Sequence, residues 1–526
     1  MRFLPVNRRS FIVELPNLEA TQGLFRALKA APLLGVDEII PAARTLMLRF
    51  VSETVKAEAL AKQIARLNLT TAPPPEGPLV EAPVVYDGED LPEVATLTGL
   101  SVAEIIRRHS EAEYLVAFCG FAPGFGYLVG GDSALAVPRR KTPRPRIPAG
   151  AVGLAGEFTG VYPRASPGGW QLIGTTKLKM WDFTRTPPAY FQPGYRVRFI
   201  DLAATKREFS IPPTLAVEAP RVEENAVHFT ILSAPLPALF QDLGRFGEAR
   251  QGVPASGARD CTSFKSANRL VGNDEGEPCL ELTGGISFRS SGAAVIGIAG
   301  APRGIKLCNA AGQVLRAEAY APIALEAGDE ITLATPNAGV CSYLAVRGGF
   351  NVKKTLGSAS RDTLSEIGPE PVGAGSRLAI SKPNSLQAVS LHESPAFAFP
   401  KPGETVTIDL TLGPRTDWFT KQALQALAST EWQVTPHSNR IGLRLNAPVS
   451  LTRGKTEELP SEVVTRGAVQ VPADGKPLLF LADHPLTGGY PVIGVVAEHH
   501  LNLAGQIPVG AKILLRPIAP FQEITP

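Results

Sequence analysis

Cysteine is scarce in this sequence, and the few that occur form no recognisable pattern. Five are scattered over 526 residues, with no CxxC pair and no Cys/His pair at zinc-ligand spacing. An odd number of widely separated cysteines argues against a disulfide framework, and the missing spacing argues against a structural zinc site. The sequence therefore predicts no metal site. The cysteines are Cys119, Cys261, Cys279, Cys308 and Cys341.

Long hydrophobic runs are also lacking. The longest apolar stretch, around 293–301, is too short and too rich in glycine to span a bilayer. Polar residues interrupt positions 1–16, which argues against a secretory signal. We therefore expect a cytoplasmic protein with no membrane partner.

Several common functional motifs are missing as well. The sequence has no GxxxxGK[ST] loop, no GxGxxG that follows a strand and opens a helix, and no GxSxG elbow. These absences argue against a Walker-type ATP site, a dinucleotide-binding fold and a serine hydrolase. The net charge is only +3, and the single basic run at 139–146 has no basic face around it. We interpret that run as an anion-binding or inter-subunit loop and expect no nucleic-acid partner.

Glycine and proline, in contrast, are abundant. Fifty glycines and 48 prolines lie between short apolar runs, a distribution typical of many short strands joined by turns. With 44% hydrophobic and 19% charged residues, the composition is that of an ordinary globular protein. The length is sufficient for roughly three or four domains.

The first eighty residues show a mixed pattern of strands and helices. Strands are predicted at 10–15, 36–40, 44–50 and 84–86, and helices at 17–30 and 53–67. The order βαββαβ indicates a ferredoxin-like α+β module, although the prolines at 73–75 are also compatible with a linker before the last strand. Further helices are predicted at 90–97, 101–109 and 417–429.

A glycine-aromatic loop occurs twice, and a short glycine-containing strand precedes each copy. Repetition at matched spacing indicates two copies of one structural unit, so we expect residues 147–199 and 465–516 to superpose. Paired glycines beside an aromatic ring are typical of backbone that approaches a ligand, or of tight barrel corners, and both interpretations stay open. The candidate substrate-binding residues here are Ser166, Gly168, Gly169, Trp170, Gln171, Gln470, Gly488, Gly489 and Tyr490.

Residues 118–128 form a third candidate loop, with glycine, proline and aromatic residues close together. Such a loop can place an aromatic wall and free backbone N–H groups beside a small planar ligand, or it can plug a barrel end. Its candidate substrate-binding residues are Gly120, Pro123, Gly124 and Phe125.

Polar residues recur in turn-like sequence between 241 and 281. Carboxamides such as Asn268 offer a donor and an acceptor for an amide or urea, and Arg245 can hold a carboxylate or phosphate. Asp242 and Asp260 are candidate catalytic carboxylates, but these two and Asn268 are equally suited to capping turns or a helix.

Two polar segments lie in the last part of the sequence. One contains Arg440, and the other contains Asp483 and His484 at the end of an apolar strand. Adjacent strand residues point to opposite faces, so only one of the pair is expected to face a pocket. We favour Asp483 as a general base.

The longer motifs indicate a family. GFAPGFGYL, PRRKTPRPRIPAGAVGLAG and VYPRASPGGWQLIGTT resemble the first of the two proteins once called allophanate hydrolase subunits, the KipI type. QDLGRFGEARQGVPASGARD, SNRIGLRL and RGAVQVPADGKPLLFLADHPLTGGYPVIGVV resemble the second, the KipA type. The resemblance covers nearly the whole sequence and implies repeated cyclophilin-like β-barrels after a small α/β module.

This resemblance implies a division of the chain. We expect the α/β module at 1–80 and a barrel at 81–201, both KipI-like, and then a linker at 202–226. Two KipA-like barrel regions are expected at 227–385 and 386–526.

The resemblance also implies an activity. As the B and C components of 5-oxoprolinase, such proteins join a separate LamB/YcsF-type subunit, the A component, to open 5-oxo-L-proline to glutamate with ATP. As carboxyltransferase modules of urea carboxylase-like enzymes, they transfer CO2 from carboxybiotin to a urea-type nitrogen. KipI-like proteins also regulate a kinase in sporulation signalling. The sequence contains no biotin carboxylase or biotinyl segment, which favours the oxoprolinase interpretation, with a partner required for activity.

Lactam opening implies roles for the candidate residues. Asp483, Asp242 or Asp260 would activate water, Arg245 or Arg440 would hold the substrate carboxylate, and the glycine loops would stabilise negative charge. Pro485-Leu486 and Ile367-Gly368-Pro369 depart from the family pattern, so the choice between an amide and a ureido substrate stays open. The ATP site and the oligomeric state are likewise left open.

Overall fold

The computed structural model describes residues 1–67, 77–140, 142–205, 207, 226–381 and 387–526. The protein is mainly β with an α+β module at its N-terminus, as the sequence predicts. The prolines at 73–75, most of the expected linker at 202–226 and residues 382–386 lie outside the described residues.

The N-terminal module is an antiparallel four-stranded sheet with two helices. Its strand order is β1-β2-β4-β3, and helix residues Leu24 and Leu60 pack with strand residues Phe11 and Leu48 in one buried core. The observed order ββαββα differs from the predicted βαββαβ, because residues 2–7 add a first strand and residues 79–84 belong to the next sheet. The elements are β1 (Arg2–Asn7), β2 (Ser10–Glu14), α1 (Leu18–Ala30), β3 (Val36–Pro41), β4 (Thr45–Phe50) and α2 (Ala57–Ala65).

The next unit is a seven-stranded curled sheet ordered β12-β9-β10-β7-β6-β13-β5. A bridge between Val85 and Thr175 brings its two edges together. Its elements are β5 (Leu79–Val84), α3 (Leu91–Thr98), α4 (Val102–Glu111), β6 (Glu113–Cys119), β7 (Gly126–Val129), β8 (Arg144–Ile147), β9 (Ala151–Ala155), β10 (Phe158–Val161), β11 (Ser166–Gly168), β12 (Gln171–Thr175) and β13 (Arg196–Asp201).

The middle unit packs two sheets around a shared apolar core. One sheet is ordered β20-β19-β22-β17-β14-β24 and the other β15-β16-β23-β18-β21. Its elements are β14 (His228–Ser233), β15 (Leu239–Gln241), α5 (Cys261–Leu270), β16 (Cys279–Leu282), β17 (Ile286–Ser290), β18 (Ala294–Gly300), β19 (Ile305–Cys308), β20 (Val314–Leu315), β21 (Ile323–Leu325), β22 (Glu330–Leu333), β23 (Ser342–Val346) and β24 (Arg377–Ala379).

The last unit is a closed barrel, ordered β25-β32-β29-β30-β27-β26-β33. Its elements are β25 (Thr405–Leu412), α6 (Lys421–Ser429), β26 (Trp432–Val434), β27 (Gly442–Asn446), β28 (Glu462–Val463), β29 (Ala468–Gln470), β30 (Leu478–Phe480), β31 (Thr487–Gly488), β32 (Val492–Val496), α7 (Leu501–Ala504) and β33 (Lys512–Pro517). None of the described helices is long and apolar enough to cross a bilayer.

The two seven-stranded units share one topology, which confirms the predicted repeat. The order of the first unit, β12-β9-β10-β7-β6-β13-β5, corresponds strand by strand to β32-β29-β30-β27-β26-β33-β25 of the last unit. This is the order around the closed barrel, read from β32. In both units the final strand pairs in parallel with the first. A two-stranded ribbon, β8–β11 or β28–β31, accompanies each copy and contains part of the glycine-aromatic loop.

One buried histidine in the unit of the seven-stranded curled sheet makes the fold sensitive to acid. His109 on α4 has Nδ1 at 2.7 Å from the Tyr86 hydroxyl and Nε2 at 2.9 Å from Thr159 Oγ1. Thr159 Oγ1 lies 3.2 Å from the Gly153 carbonyl oxygen, to which it donates, so it accepts from Nε2–H, and Tyr86 donates to Nδ1. Burial lowers the pKa of His109 to about 3, and the ring is therefore neutral at physiological pH.

We expect His109 to reduce stability as pH falls from about 6.5 toward 3. In this window the unfolded chain binds a proton that the folded chain rejects, which lowers the free energy of unfolding by about 1.4 kcal/mol per pH unit. Urea denaturation of wild type and His109→Gln over this range measures the effect, and the variant should lack this slope. The exposed His437→Gln serves as the matched control. An unchanged slope in His109→Gln would contradict the assignment.

Candidate functional site

A cavity of about 280 Å³ lies where three parts of the chain meet. The N-terminal module contributes residues from β1 to β4, the middle unit contributes the segment 243–256 and Cys261, and the last barrel contributes residues between 464 and 501. Its size is near the lower end of the range for small-molecule sites. The charged and polar side chains that line it include Arg9, Glu38, Arg49, Arg245, Ser256, Cys261, Arg466, His484 and Glu498.

Arg245 is the most deeply buried cation of the cavity wall. It is 2% exposed, and its Nη2 donates to the Ser360 carbonyl. Its Nε and Nη1 have no hydrogen-bond partner among the described residues. Burial lowers the pKa of Arg245, although the nearby charges of Asp362, Asp242 and Asp483 oppose this effect. Buried guanidinium donors without partners are costly, and the three nearby carboxylates supply part of the compensating charge.

The other charges of the wall leave it positive overall. Arg49 lies 3.2 Å from Glu38, and Arg9 lies 3.5 Å from Glu498. Arg245 and Arg466, in contrast, have no carboxylate within ion-pair distance among the described residues.

Arg466 donates to backbone carbonyls instead. Its Nη1 lies 3.1 Å from the Ala258 oxygen, and its Nη2 donates to the Arg259 oxygen. Two of the four arginines in the wall are therefore not neutralised by a carboxylate.

His484 provides a neutral base in the same cavity. Its Nδ1 lies 2.9 Å from the Pro485 carbonyl oxygen, and a carbonyl can only accept, so Nδ1 carries the hydrogen. Its Nε2 has no hydrogen-bond partner in the described part of the chain. Burial lowers the pKa of His484, and the Pro485 carbonyl and the Asp483 charge only partly offset this. The ring is 8% exposed and presents an unprotonated nitrogen at neutral pH.

Asp483, the residue predicted to be the base, lies in a buried network beside the cavity and does not line it. It is 0% exposed and receives two hydrogen bonds from Arg440, at 2.9 and 3.0 Å. Ser256 Oγ donates to it at 2.6 Å, and Thr363 donates from both its backbone N and its hydroxyl.

The charge of Asp483 is well stabilised in this network. Burial raises its pKa, but the charge and hydrogen bonds of Arg440, together with the other donors, outweigh burial and hold the pKa below its ordinary value. A carboxylate with its acceptor positions filled is poorly placed to take a proton from water. His484, the next residue in the sequence, lines the cavity instead.

Arg440 holds two units of the protein together. Besides Asp483 in the last barrel, it contacts Glu281 of the middle unit and donates to the Gly257 carbonyl at 2.7 Å. Glu281 also accepts from Tyr343 at 2.8 Å. Every carboxylate of this network thus has several donors, and the network connects the middle unit to the last barrel.

The other two candidate carboxylates organise loops. Asp242 accepts from the hydroxyls of Ser358 and Ser360 at 2.6 Å each and from the Ala359 backbone at 2.7 Å. Asp260 caps α5 by accepting from the backbone N–H groups of residues 262 and 263, and it also binds Gln506 at 3.0 Å.

Asn268 lies within α5, in a segment that the sequence suggested to be turn-like. The helix spans Cys261–Leu270, and Asn268 is fully buried on it. Its Nδ2 donates to the Glu277 carbonyl at 2.8 Å, and its Oδ1 accepts from Asn273. The side chain fixes the turn that follows the helix and does not reach the cavity lining.

The aromatic loop at 118–128 is packed inside the protein. Phe125 makes edge contacts with Trp170 and Tyr162, with ring centroids 5.2 Å apart in both pairs. The neighbouring backbone meets the other half of the chain, because Phe121 N donates to Thr487 Oγ1 at 2.8 Å. The structure thus places Gly120 and Phe121 of this loop against the last barrel, and Gly120, Pro123 and Gly124 are all buried.

The remaining candidates lie at the corners of the two ribbons. Gln470 donates to the Tyr490 carbonyl at 3.1 Å and lies against Gly488, while Gln171 is buried near Glu93. Of the residues proposed from sequence, Arg245 alone lines the cavity. The candidates not yet described also lie outside the cavity lining; they are Ser166, Gly168, Gly169, Trp170, Gly489 and Tyr490.

One group among the described residues has metal-type ligands: Asp409, His499 and His500. Its atoms already have internal partners. Asp409 pairs with Arg516 at 2.7 Å and with His499 at 2.9 Å, and its backbone N donates to His500 Nδ1. An ion-pair cluster accounts for these contacts.

Comparison with known proteins identifies related sequences for both halves. The B component of 5-oxoprolinase from Escherichia coli is 50% identical over 129 residues, which is 24% of this chain and 59% of that protein. The C component of 5-oxoprolinase from Escherichia coli is 33% identical over 295 residues, which is 54% of this chain and 89% of that protein. The chain thus spans little more than half the length of the B-component relative.

Two further likenesses extend this result. Urea amidolyase of Saccharomyces cerevisiae is 32% identical over 294 residues, which is 52% of this chain and 16% of that protein. The crystal structure of TTHA0988 superposes with a TM-score of 0.81 at 34% identity, covering 96% of this chain and 99% of that one.

Two family models match the chain and together cover most of it. The model for the carboxyltransferase domain, subdomains C and D, matches residues 1–191, and the model for subdomains A and B matches residues 251–517. These matches, with the two 5-oxoprolinase relatives, confirm the resemblance that the motifs indicate. The chain therefore belongs to the carboxyltransferase-domain family, with subdomains C and D in its first part and subdomains A and B in its second.

Proposed function

We propose that this protein is the fused B and C component of an ATP-dependent 5-oxoprolinase, which opens 5-oxo-L-proline to L-glutamate together with a separate LamB/YcsF-type subunit. The observation that carries the proposal is the presence on one chain of halves similar to the B and C components of 5-oxoprolinase. In the structure the two halves touch through the Phe121–Thr487 hydrogen bond. The fusion thus keeps together two components that are separate chains in the relatives.

The chemistry of the cavity suits this reaction. 5-Oxoproline is a small carboxylate with a lactam group, and the cavity combines arginines that have no directly paired carboxylate with a neutral imidazole. A buried arginine can hold a carboxylate, and a histidine with a free ring nitrogen can accept a proton as water attacks the activated carbonyl. These two roles are assigned to Arg245 and His484.

The residues of the cavity do not fit ATP. Phosphate-binding loops present a series of backbone N–H groups, usually from several glycines, whereas this lining contains the single glycine Gly247. The sequence has no GxxxxGK[ST] motif elsewhere. We therefore assign ATP binding to the LamB/YcsF-type partner, with no step through ATP on this chain.

Reconstitution tests the proposal directly. The purified chain alone is expected to release no glutamate from 5-oxoproline and ATP. Addition of the LamB/YcsF-type partner should produce glutamate and ADP together, as measured by coupled assays for both products. Glutamate formation by the chain alone would place the ATP site here and overturn the division of labour.

Carboxyl transfer is the second candidate function, favoured by the similarity to urea amidolyase. In that case the chain would move a carboxyl group from a carboxybiotin carrier, supplied by another protein, to a urea-type nitrogen. Labelled carboxybiotin and urea distinguish the two activities. Transfer of label to urea, without turnover of 5-oxoproline in the presence of the partner, would establish this alternative.

A further inference from the structure

The cavity has the features of a binding site for one small anion. Of the four arginines in its wall, Arg9 and Arg49 are paired with glutamates, whereas Arg245 and Arg466 have no carboxylate within ion-pair distance among the described residues and donate to carbonyls and, for Arg466, to Cys261 Sγ. Arg245 is also almost fully buried, with two guanidinium nitrogens that have no partner among the described residues. A small anionic ligand would offset part of this excess of two positive charges.

The opposite wall offers an acceptor and apolar surface. His484 Nε2 is unprotonated in the tautomer set by the Pro485 carbonyl, and it can accept one hydrogen bond. Ile40, Met47 and Leu486 supply apolar lining between the N-terminal module and the last barrel. The site thus combines a cation for a carboxylate, one hydrogen-bond acceptor and apolar surface for a small ring.

We propose that this cavity is the substrate site, and that it binds a small carboxylate bearing a lactam or ureido group, with Arg245 on the carboxylate and His484 Nε2 beside the lactam or ureido group. The location follows from the charges and contacts of the wall, whereas the identity of the ligand rests on the proposed function. Of the substrate-binding residues predicted from the sequence, Arg245 lies in this cavity, and those of the glycine-aromatic loops do not line it.

A native thiol makes the site measurable without turnover. Cys261 lines the cavity, is partly exposed and has its Sγ 3.7 Å from Arg466 Nη1. Cys308 is similarly half-buried but lies on β19, outside the lining, and the other cysteines are buried. Alkylation of Cys261 therefore reports occupancy, and alkylation of Cys308 provides an internal reference.

The test measures iodoacetamide labelling of the full chain by peptide mass spectrometry, with and without 5-oxo-L-proline. At a ligand concentration of ten times Kd, Cys261 should be labelled about tenfold more slowly while Cys308 is unaffected. The carboxamide of 5-oxoproline, which lacks the negative charge, should give no protection. An unchanged Cys261 rate at saturating 5-oxoproline overturns the proposal. Equal protection by the carboxamide or by inorganic phosphate overturns the ligand class.

Two variants assign the contact. Arg245→Met should abolish the protection, whereas Arg444→Met, at an exposed arginine of β27, should retain it. If Arg245→Met does not fold, Arg466→Gln decides the question. In that variant, the factor by which the ligand slows the labelling of Cys261 should be at least several-fold smaller than in wild type. Full protection in the folded Arg245 variant, or in the Arg466 variant where the first is unfolded, overturns the assignment.

The labelling result is separable from the fate of the proposed reaction. Protection of Cys261 without glutamate formation in the reconstituted complex supports the site and overturns the reaction. Glutamate formation with an unprotected Cys261 supports the reaction and places its substrate elsewhere.

Discussion

Replacing Arg440 with methionine is expected to lower the apparent free energy of unfolding by about 3–5 kcal/mol. The side chain is buried and lies between Asp483 and Glu281, so its removal leaves two buried carboxylates without their counter-ion. The loss should appear in the urea transition that separates the middle unit from the last barrel, since Arg440 also holds the Gly257 carbonyl. Arg444→Met is the matched control and should change stability by less than about 0.5 kcal/mol.

Neutralising the acids should recover part of this loss. In Arg440→Met combined with Asp483→Asn and Glu281→Gln, no buried charge remains, and only the lost hydrogen bonds and packing persist. The deficit of the single variant should also shrink as pH falls, because carboxylates without a counter-ion bind protons more readily when folded than when unfolded. An Arg440 variant as stable as the control would show that the network contributes no net energy to the contact between the units.

The sequence predicted most of the architecture because the repeating pattern is local. Helix α4 begins after Ser101, whose hydroxyl accepts from Glu104 N at 3.2 Å, as expected for an N-cap. Paired glycines marked equivalent corners in both barrels, and the strand orders agree. Strand β1 was missed because it contains Pro5 and polar residues at both ends, a composition tolerated at a sheet edge, where the strand indeed lies.

Helix α5 was missed for a different reason. Its residues Thr262, Ser263 and Ser266 give little apolar periodicity, although the Asp260 cap was present in the sequence as a signal. The helix is stabilised by burial of Phe264 and Leu270 against the middle sheets, a tertiary contribution that local propensity does not contain.

The site was predicted only in part because it is assembled from distant segments. Arg245 was identified by its chemistry, but its cavity also needs Arg49 and Arg466, which are more than 400 residues apart in the chain. The sequence indicated that only one of Asp483 and His484 faces a pocket, and in the structure the two follow β30 in a turn, from which His484 lines the cavity and Asp483 does not. The sequence could not indicate which, because the choice depends on Arg440 and Ser256, whose side chains hold Asp483 on the other face. The catalytic role of Asp483 stays a prediction, and the geometry favours His484.

His484→Gln is expected to reduce kcat for 5-oxoproline in the reconstituted complex by roughly 10²- to 10⁴-fold, the usual contribution of a general base. Glutamine keeps a polar group of similar length but accepts no proton, and because the Asp483 network is untouched, the melting temperature should barely change. The exposed His437→Gln should keep full activity.

The pH profile separates proton transfer from simple positioning by His484. Burial lowers the pKa of His484, so the wild-type kcat/KM should be constant through neutral pH and should fall tenfold per unit only below that pKa, where the ring becomes protonated. This acid limb should be absent in His484→Gln. Asp483→Asn should instead lower stability, because it weakens the pairing with Arg440. Activity per folded molecule should then be retained in Asp483→Asn. A His484 variant within threefold of wild type, together with an Asp483 variant that folds normally but is inactive, would transfer the role of base to Asp483.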